Sequence, residues 1–211
     1  MKKRLLLGVL LTSVFTCVFA QVETDLKVGD SAIPAMTMGV GDHAVIALHG
    51  AGGNDRRFFF SDKGGQLGQE LAKAGFRVIA PTWAGRAGMG FDEVAAAVAY
   101  AKSSGAKKIS LMAHSRGGEL AANYAKQQPD GTFNTLIQIA SVDDQGVPLV
   151  RTKKLFAFNK FDRWPKGQRA AYEQSVEPKQ IIELGGSGHL VSSLISEKAD
   201  FVQDVVDILK K

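Results

Sequence analysis

Several side chains able to do acyl-transfer chemistry fall just past the apolar runs of this 211-residue sequence. Ser115 ends the run 107–115, Asp143 and Asp144 follow the run 133–141, and Asp162 closes the run 153–162. His189 closes the run 179–189, and His49 stands at the end of the run 43–50. A hydroxyl, a carboxylate and an imidazole thus occur in the chain order Ser, Asp, His. Acyl transfer needs those three roles: a nucleophile, a base that takes its proton, and an acid that holds the base in the right tautomer.

Ser115 carries the strongest local signal. It lies in Ala113-His114-Ser115-Arg116-Gly117, where a strand pattern gives way at once to a helical one. A serine on so sharp a strand-to-helix turn leaves room only for small residues two positions before and two after, which Ala113 and Gly117 supply. The turn would lift the hydroxyl above the sheet and set it at a helix N-terminus, where the dipole favours a developing anion. A plain Ser N-cap would read the same way in isolation.

The elements that must position these groups alternate. Strands are expected over 43–50, 76–83, 107–115, 133–141, 153–162 and 179–189, with helices over 65–75, 91–105, 116–129 and 190–211. Segment 22–42 has room for one or two antiparallel edge strands. Strands alternating with helices point to right-handed crossovers and a mostly parallel central sheet with helices on both faces. Sites in such sheets lie beyond the carboxyl ends of the strands, the edge on which the residues above fall.

The stretches AHSRG (113–117), HGAGGN (49–54) and GGSGHL (185–190) resemble the α/β-hydrolase family, and the resemblance spans the chain after its first twenty residues. It implies an α/β-hydrolase fold with Ser115 as nucleophile and His189 as general base. The acid would be Asp162, with Asp143 or Asp144 as the position some branches use instead. It further implies an oxyanion hole made by the backbone N–H groups of Ala51 and Arg116. Alanine at 113 departs from the usual Gly-x-Ser-x-Gly. The interval between Ser115 and Asp162 is too short to hold a cap domain, so an open, shallow site is expected.

Around that site, His49, Trp83, His114 and Trp164 are the expected substrate-binding residues, and Arg86 and Arg116 are candidates for a substrate carboxylate. His49 is also expected to orient the oxyanion loop. Phe58, Phe59 and Phe60 read as core anchors with at most one facing an acyl pocket, and His43 reads as surface.

Residues 1–20 have the layout of a secretory signal peptide: Lys2, Lys3 and Arg4, an apolar stretch from Leu5, and Val18-Phe19-Ala20 before Gln21. A single domain over 21–211 is expected to follow, exported to a periplasm or secreted. The only cysteine, Cys17, leaves with the signal, which removes thiol nucleophiles and cysteine metal sites from consideration. Loss of the three cations leaves 23 Lys and Arg against 21 Asp and Glu, a formal charge of +2. A balance that small does not argue for nucleic acid or an anionic membrane surface, and neither partner is expected after cleavage.

The expected activity is a serine hydrolase acting on small-molecule carboxylic esters, with no metal and no organic cofactor. A peptidase, thioesterase or lipase on the same machinery and a non-catalytic hydrolase-fold binding protein are the alternatives. The sequence leaves the acyl group, the leaving group and the oligomeric state open.

Overall fold

Apolar runs without alternation must be covered on both faces, and the central strands of this protein are. The computed structural model describes residues 20–29 and 31–211. The expected signal segment, Cys17 included, lies outside the described residues except for Ala20. Among the described residues the strands are β1 Val22–Val28, β2 Ser31–Met38, β3 His43–Leu48, β4 Arg77–Pro81, β5 Lys108–His114, β6 Thr135–Ile139, β7 Lys153–Asn159 and β8 Lys179–Leu184. They form one sheet in the order β1-β2-β4-β3-β5-β6-β7-β8. Segment 22–42 supplies two antiparallel strands, β1 against β2 and β2 against β4, while β3 to β8 run parallel.

The helices are α1 Leu67–Lys73, α2 Phe91–Ser103, α3 Arg116–Lys126, α4 Pro165–Gln174, α5 Val191–Glu197 and α6 Phe201–Lys210. Strand residues of alternate parity divide between the two layers. Ala44, Ile46 and Leu48 of β3 join Leu111 and Ala113 of β5 under Val94 and Ala97 of α2 and Leu120 and Ala121 of α3. Val45, Ala47, Met112 and Ile137 face Leu71 of α1, Val191 and Leu194 of α5, and Phe201 and Val205 of α6. Each fully buried aliphatic or phenyl side chain contributes about 1.5–3 kcal/mol, so both layers hold the sheet that carries the site.

Three expectations are corrected. The closing helix over 190–211 is two helices, because Lys198 leaves the helical region at φ −128°, ψ 101°; Phe201, fully buried, then opens α6. Helix α4 was not expected, although Pro165 at its first turn is a helix-start signal. His43 is not on the surface. It opens a central strand, is 8% exposed, meets the edge of Phe76 and has Nε2 2.8 Å from Ser110 Oγ. Burial is the main cause that lowers its pKa to about 4, with Lys108 adding to the effect.

No cap domain covers the carboxyl edge of the sheet among the described residues: β6 and β7 are joined by the 140–152 connection alone. No described helix is long and apolar enough to cross a membrane.

Candidate active site

Ser115 sits between the last residue of β5 and the first of α3 with φ 54° and ψ −122°. Such a backbone costs a non-glycine residue about 1–3 kcal/mol and is kept where the surroundings impose it. The surroundings here are identifiable. Its N–H donates to the Ile139 carbonyl at 3.0 Å. Ala113 is fully buried. A Cβ on Gly117 would come within 2.4 Å of the Leu48 carbonyl oxygen and 2.6 Å of that of His49. Gly117 therefore answers to the backbone at the end of β3.

His189 lies in the loop between β8 and α5. Its Nε2 is 2.9 Å from Ser115 Oγ, and its Nδ1 is 2.9 and 3.0 Å from the two carboxylate oxygens of Asp162. The carboxylate accepts, so Nδ1 carries the hydrogen and Nε2 is left as an acceptor for the serine O–H. Asp162 is 6% exposed and also accepts the N–H of Arg163. Its loop is tied to the histidine loop by Lys160 N–H to Leu184 O at 2.8 Å and Phe161 N–H to Gly186 O at 2.9 Å.

Asp143 and Asp144 do not reach the imidazole. Asp143 accepts from Gln138 Nε2 and the Gln145 N–H at 3.2 Å each, and burial pushes its pKa up. Asp144 is exposed and takes the Gln145 side chain.

The loop after β3 approaches the serine from the other side. A Cβ on Gly50 would lie 2.9 Å from Ser115 Cβ, so only glycine lets the loop come this close. Asn54 Nδ2 donates to the Ala51 carbonyl at 2.6 Å. The N–H groups of Ala51 and of Arg116, at the start of α3, have no acceptor among the described residues. The Arg116 side chain turns away into an ion pair with Glu119 at 2.7 Å.

The four residues expected to bind substrate have different positions. His49 and His114 are each 2% exposed. His49 Nδ1 donates to the Gly50 carbonyl at 2.7 Å, and its Nε2 accepts the Trp83 N–H at 3.3 Å. Burial lowers the pKa of His49 and brings that of His114 down to about 4, so both rings are neutral near pH 7. Trp83 is only 5% exposed and braces His49 by an indole N–H bond to its carbonyl at 3.0 Å. One edge of it lines a narrow cleft of about 20 Å³ with Arg86, Phe91, Arg116 and Leu120, far below the roughly 300 Å³ at which small-molecule pockets usually begin.

Trp164, 44% exposed, meets His189 edge to face at 5.2 Å between centroids. Phe58, Phe59 and Phe60 are all buried, and Phe58 stacks on His114 at 4.7 Å. Asn159 was missed in the sequence: it is fully buried at the end of β7 and bonds the Gly188 carbonyl. No local pattern marks such a residue. Among the described residues no three His, Cys, Asp or Glu side chains converge as a metal site requires.

Residues 45–173 match the profile of the Alpha/beta hydrolase family, more than half of the chain. The protein belongs to the alpha/beta hydrolase family. No curated protein sequence matches this hydrolase at significant similarity. Solved structures share its fold. Dienelactone hydrolase from Anabaena variabilis superposes with a TM-score of 0.72 at 15% identity, covering 90% of this chain and 94% of that one. An esterase of Pyrococcus furiosus gives 0.70 at 13% identity, covering 91% and 92%. A CIB-like hydrolase from Thermoplasma acidophilum gives 0.65 at 22% identity, covering 91% and 99%.

Proposed function

We propose that this hydrolase cleaves small or exposed carboxylic esters through an acyl-enzyme intermediate on Ser115, His189 and Asp162. The observation that carries the proposal is the continuous chain of hydrogen bonds from Ser115 Oγ through the His189 ring to the Asp162 carboxylate. Ser115 Oγ attacks the ester carbonyl while His189 Nε2 takes its proton, and Asp162 stabilises the imidazolium that forms. The Ala51 and Arg116 N–H groups hold the oxyanion. The tetrahedral adduct collapses, the alcohol leaves with the proton returned by His189, and a water deprotonated by His189 Nε2 then releases the acid.

Small or exposed esters are favoured by the edge above the serine, which no cap domain covers among the described residues. Esterases among the structures of the same fold agree with this choice. The test is a chain-length series of nitrophenyl esters with Ser115→Ala as blank, alongside fluorophosphonate labelling. Ser115-dependent turnover that falls with acyl length supports the proposal. Absence of turnover and of labelling at Ser115 would leave a binding protein on a hydrolase fold.

Export to a periplasm or the medium is part of the same proposal, supported by the residue pattern of 1–20. N-terminal sequencing of protein recovered from a bacterial host expressing the full chain should begin at Gln21.

A further inference from the structure

We propose that His114 and Asn159 are positioning residues, a two-point clamp that holds the general base through the backbone carbonyls of its loop. The inference rests on the proposed role of His189 as base.

The loop from β8 to α5 contains Gly185, Gly186 and Gly188, and a chain so rich in glycine has little intrinsic preference for one conformation. Two buried side chains supply what it lacks. His114 Nε2–H donates to the His189 carbonyl at 2.9 Å, and Asn159 Nδ2–H donates to the Gly188 carbonyl at 2.8 Å. Consecutive carbonyls are thus held by donors separated in sequence from the loop and from one another.

The placement of the donors is informative. His114 is the last residue of β5, one before Ser115; Asn159 is the last residue of β7, three before Asp162. The base loop is therefore tied directly to the strand that carries the nucleophile and to the strand that carries the acid. Bond lengths from imidazole to hydroxyl and to carboxylate follow from that registration.

Both side chains also leave a buried polar atom without a partner, Nδ1 of His114 and Oδ1 of Asn159. A buried orphan acceptor is a loss that an apolar side chain of similar size would avoid. Packing alone does not call for histidine and asparagine here; a donor aimed at the loop does. Since a carbonyl only accepts, Nε2 of His114 bears the hydrogen and Nδ1 is bare. The ring is held in that orientation by Phe58 stacked at 4.7 Å and by the backbone of Gly50, whose Cβ, if present, would stand 2.9 Å from Nδ1.

The test uses His114→Phe, which keeps a ring against Phe58, Asn159→Leu, the double variant, and His114→Gln, which restores an N–H donor. Each removal should lower kcat on nitrophenyl acetate about 10- to 100-fold with KM little changed, the effect of a small misplacement of a reacting group. The double variant should lose less than the product of the single losses, since both donors hold one loop. His114→Gln should recover part of the kcat lost in His114→Phe. Deuterium uptake in peptides spanning 185–190 should rise in both removals and not in the rest of the sheet.

Variants that lose thermal stability while keeping wild-type kcat per titrated Ser115 and wild-type uptake over 185–190 would overturn the clamp. A wild-type protein that neither turns over nor labels would refute the proposed function instead. In that case the exchange measurement alone decides the clamp: faster uptake sustains it and unchanged uptake ends it.

Discussion

The His49 imidazole donates Nδ1–H to the carbonyl of Gly50 across 2.7 Å, and Trp83 holds the same ring by its backbone N–H. In a trans peptide the C=O and the following N–H point in opposite directions, so anchoring the Gly50 carbonyl sets the direction of the Ala51 N–H. The loop proposed to hold the oxyanion is thereby oriented before substrate arrives. His49→Phe keeps an aromatic ring at the position and removes both bonds. It should lower kcat toward the roughly 10²-fold loss known for a missing oxyanion donor, with KM near wild type in steady-state kinetics on a short nitrophenyl ester.

Asp162→Asn should lower kcat by about 10⁴, because an amide no longer holds His189 in the required tautomer. Asp143→Asn leaves the imidazole contacts in place and should keep kcat near wild type. Equal losses in the two variants would contradict the bonding from His189 to Asp162.

Gly117→Ala places a methyl 2.4 Å from the Leu48 carbonyl oxygen, a backbone atom in a central strand that cannot swing aside. The expected cost is about 1–3 kcal/mol of stability, read from urea denaturation, together with reduced fluorophosphonate labelling as Ser115 is displaced.

Buried neutral histidines make stability depend on pH. His43 and His114 have pKa values lowered to about 4 in the folded protein, against 6.5 when exposed. Between pH 6.5 and pH 4 the unfolded chain therefore binds more protons than the folded one, and stability falls as pH falls through that window. The limit is on the order of 3 kcal/mol for each ring. His43→Gln should be less stable than wild type at pH 7 yet lose less on acidification to pH 4.5, as followed by thermal melts. A slope on acidification unchanged by the substitution would rule out His43 as a contributor.

Much of the fold was legible because burial on both faces writes itself into composition. The runs at 43–50, 107–115 and 133–141 are mostly apolar without a strict in–out alternation, and each proved to hold a parallel strand. Helix α4 escaped because its only early signal, Pro165, is followed by Lys, Gly, Gln and Arg with little apolar period. The expected helix over 190–211 was too long because its two apolar faces happen to continue across Lys198–Asp200, while the break serves the burial of Phe201. His43 was misplaced for a related reason: a polar residue at a strand start reads as an edge unless the neighbouring strands are known.

By itself the sequence determined the strand–helix alternation, the serine on its sharp turn and the glycines that admit a loop beside it, since each follows from local sterics and local burial. Tertiary structure alone decided which carboxylate reaches His189, that His49, Trp83 and His114 brace the site from below, and that Asn159 reaches the His189 loop. Those outcomes depend on distances between residues 27 or more positions apart, which no pattern of neighbouring residues encodes, because they are set by sheet order and by the packing of two layers around it.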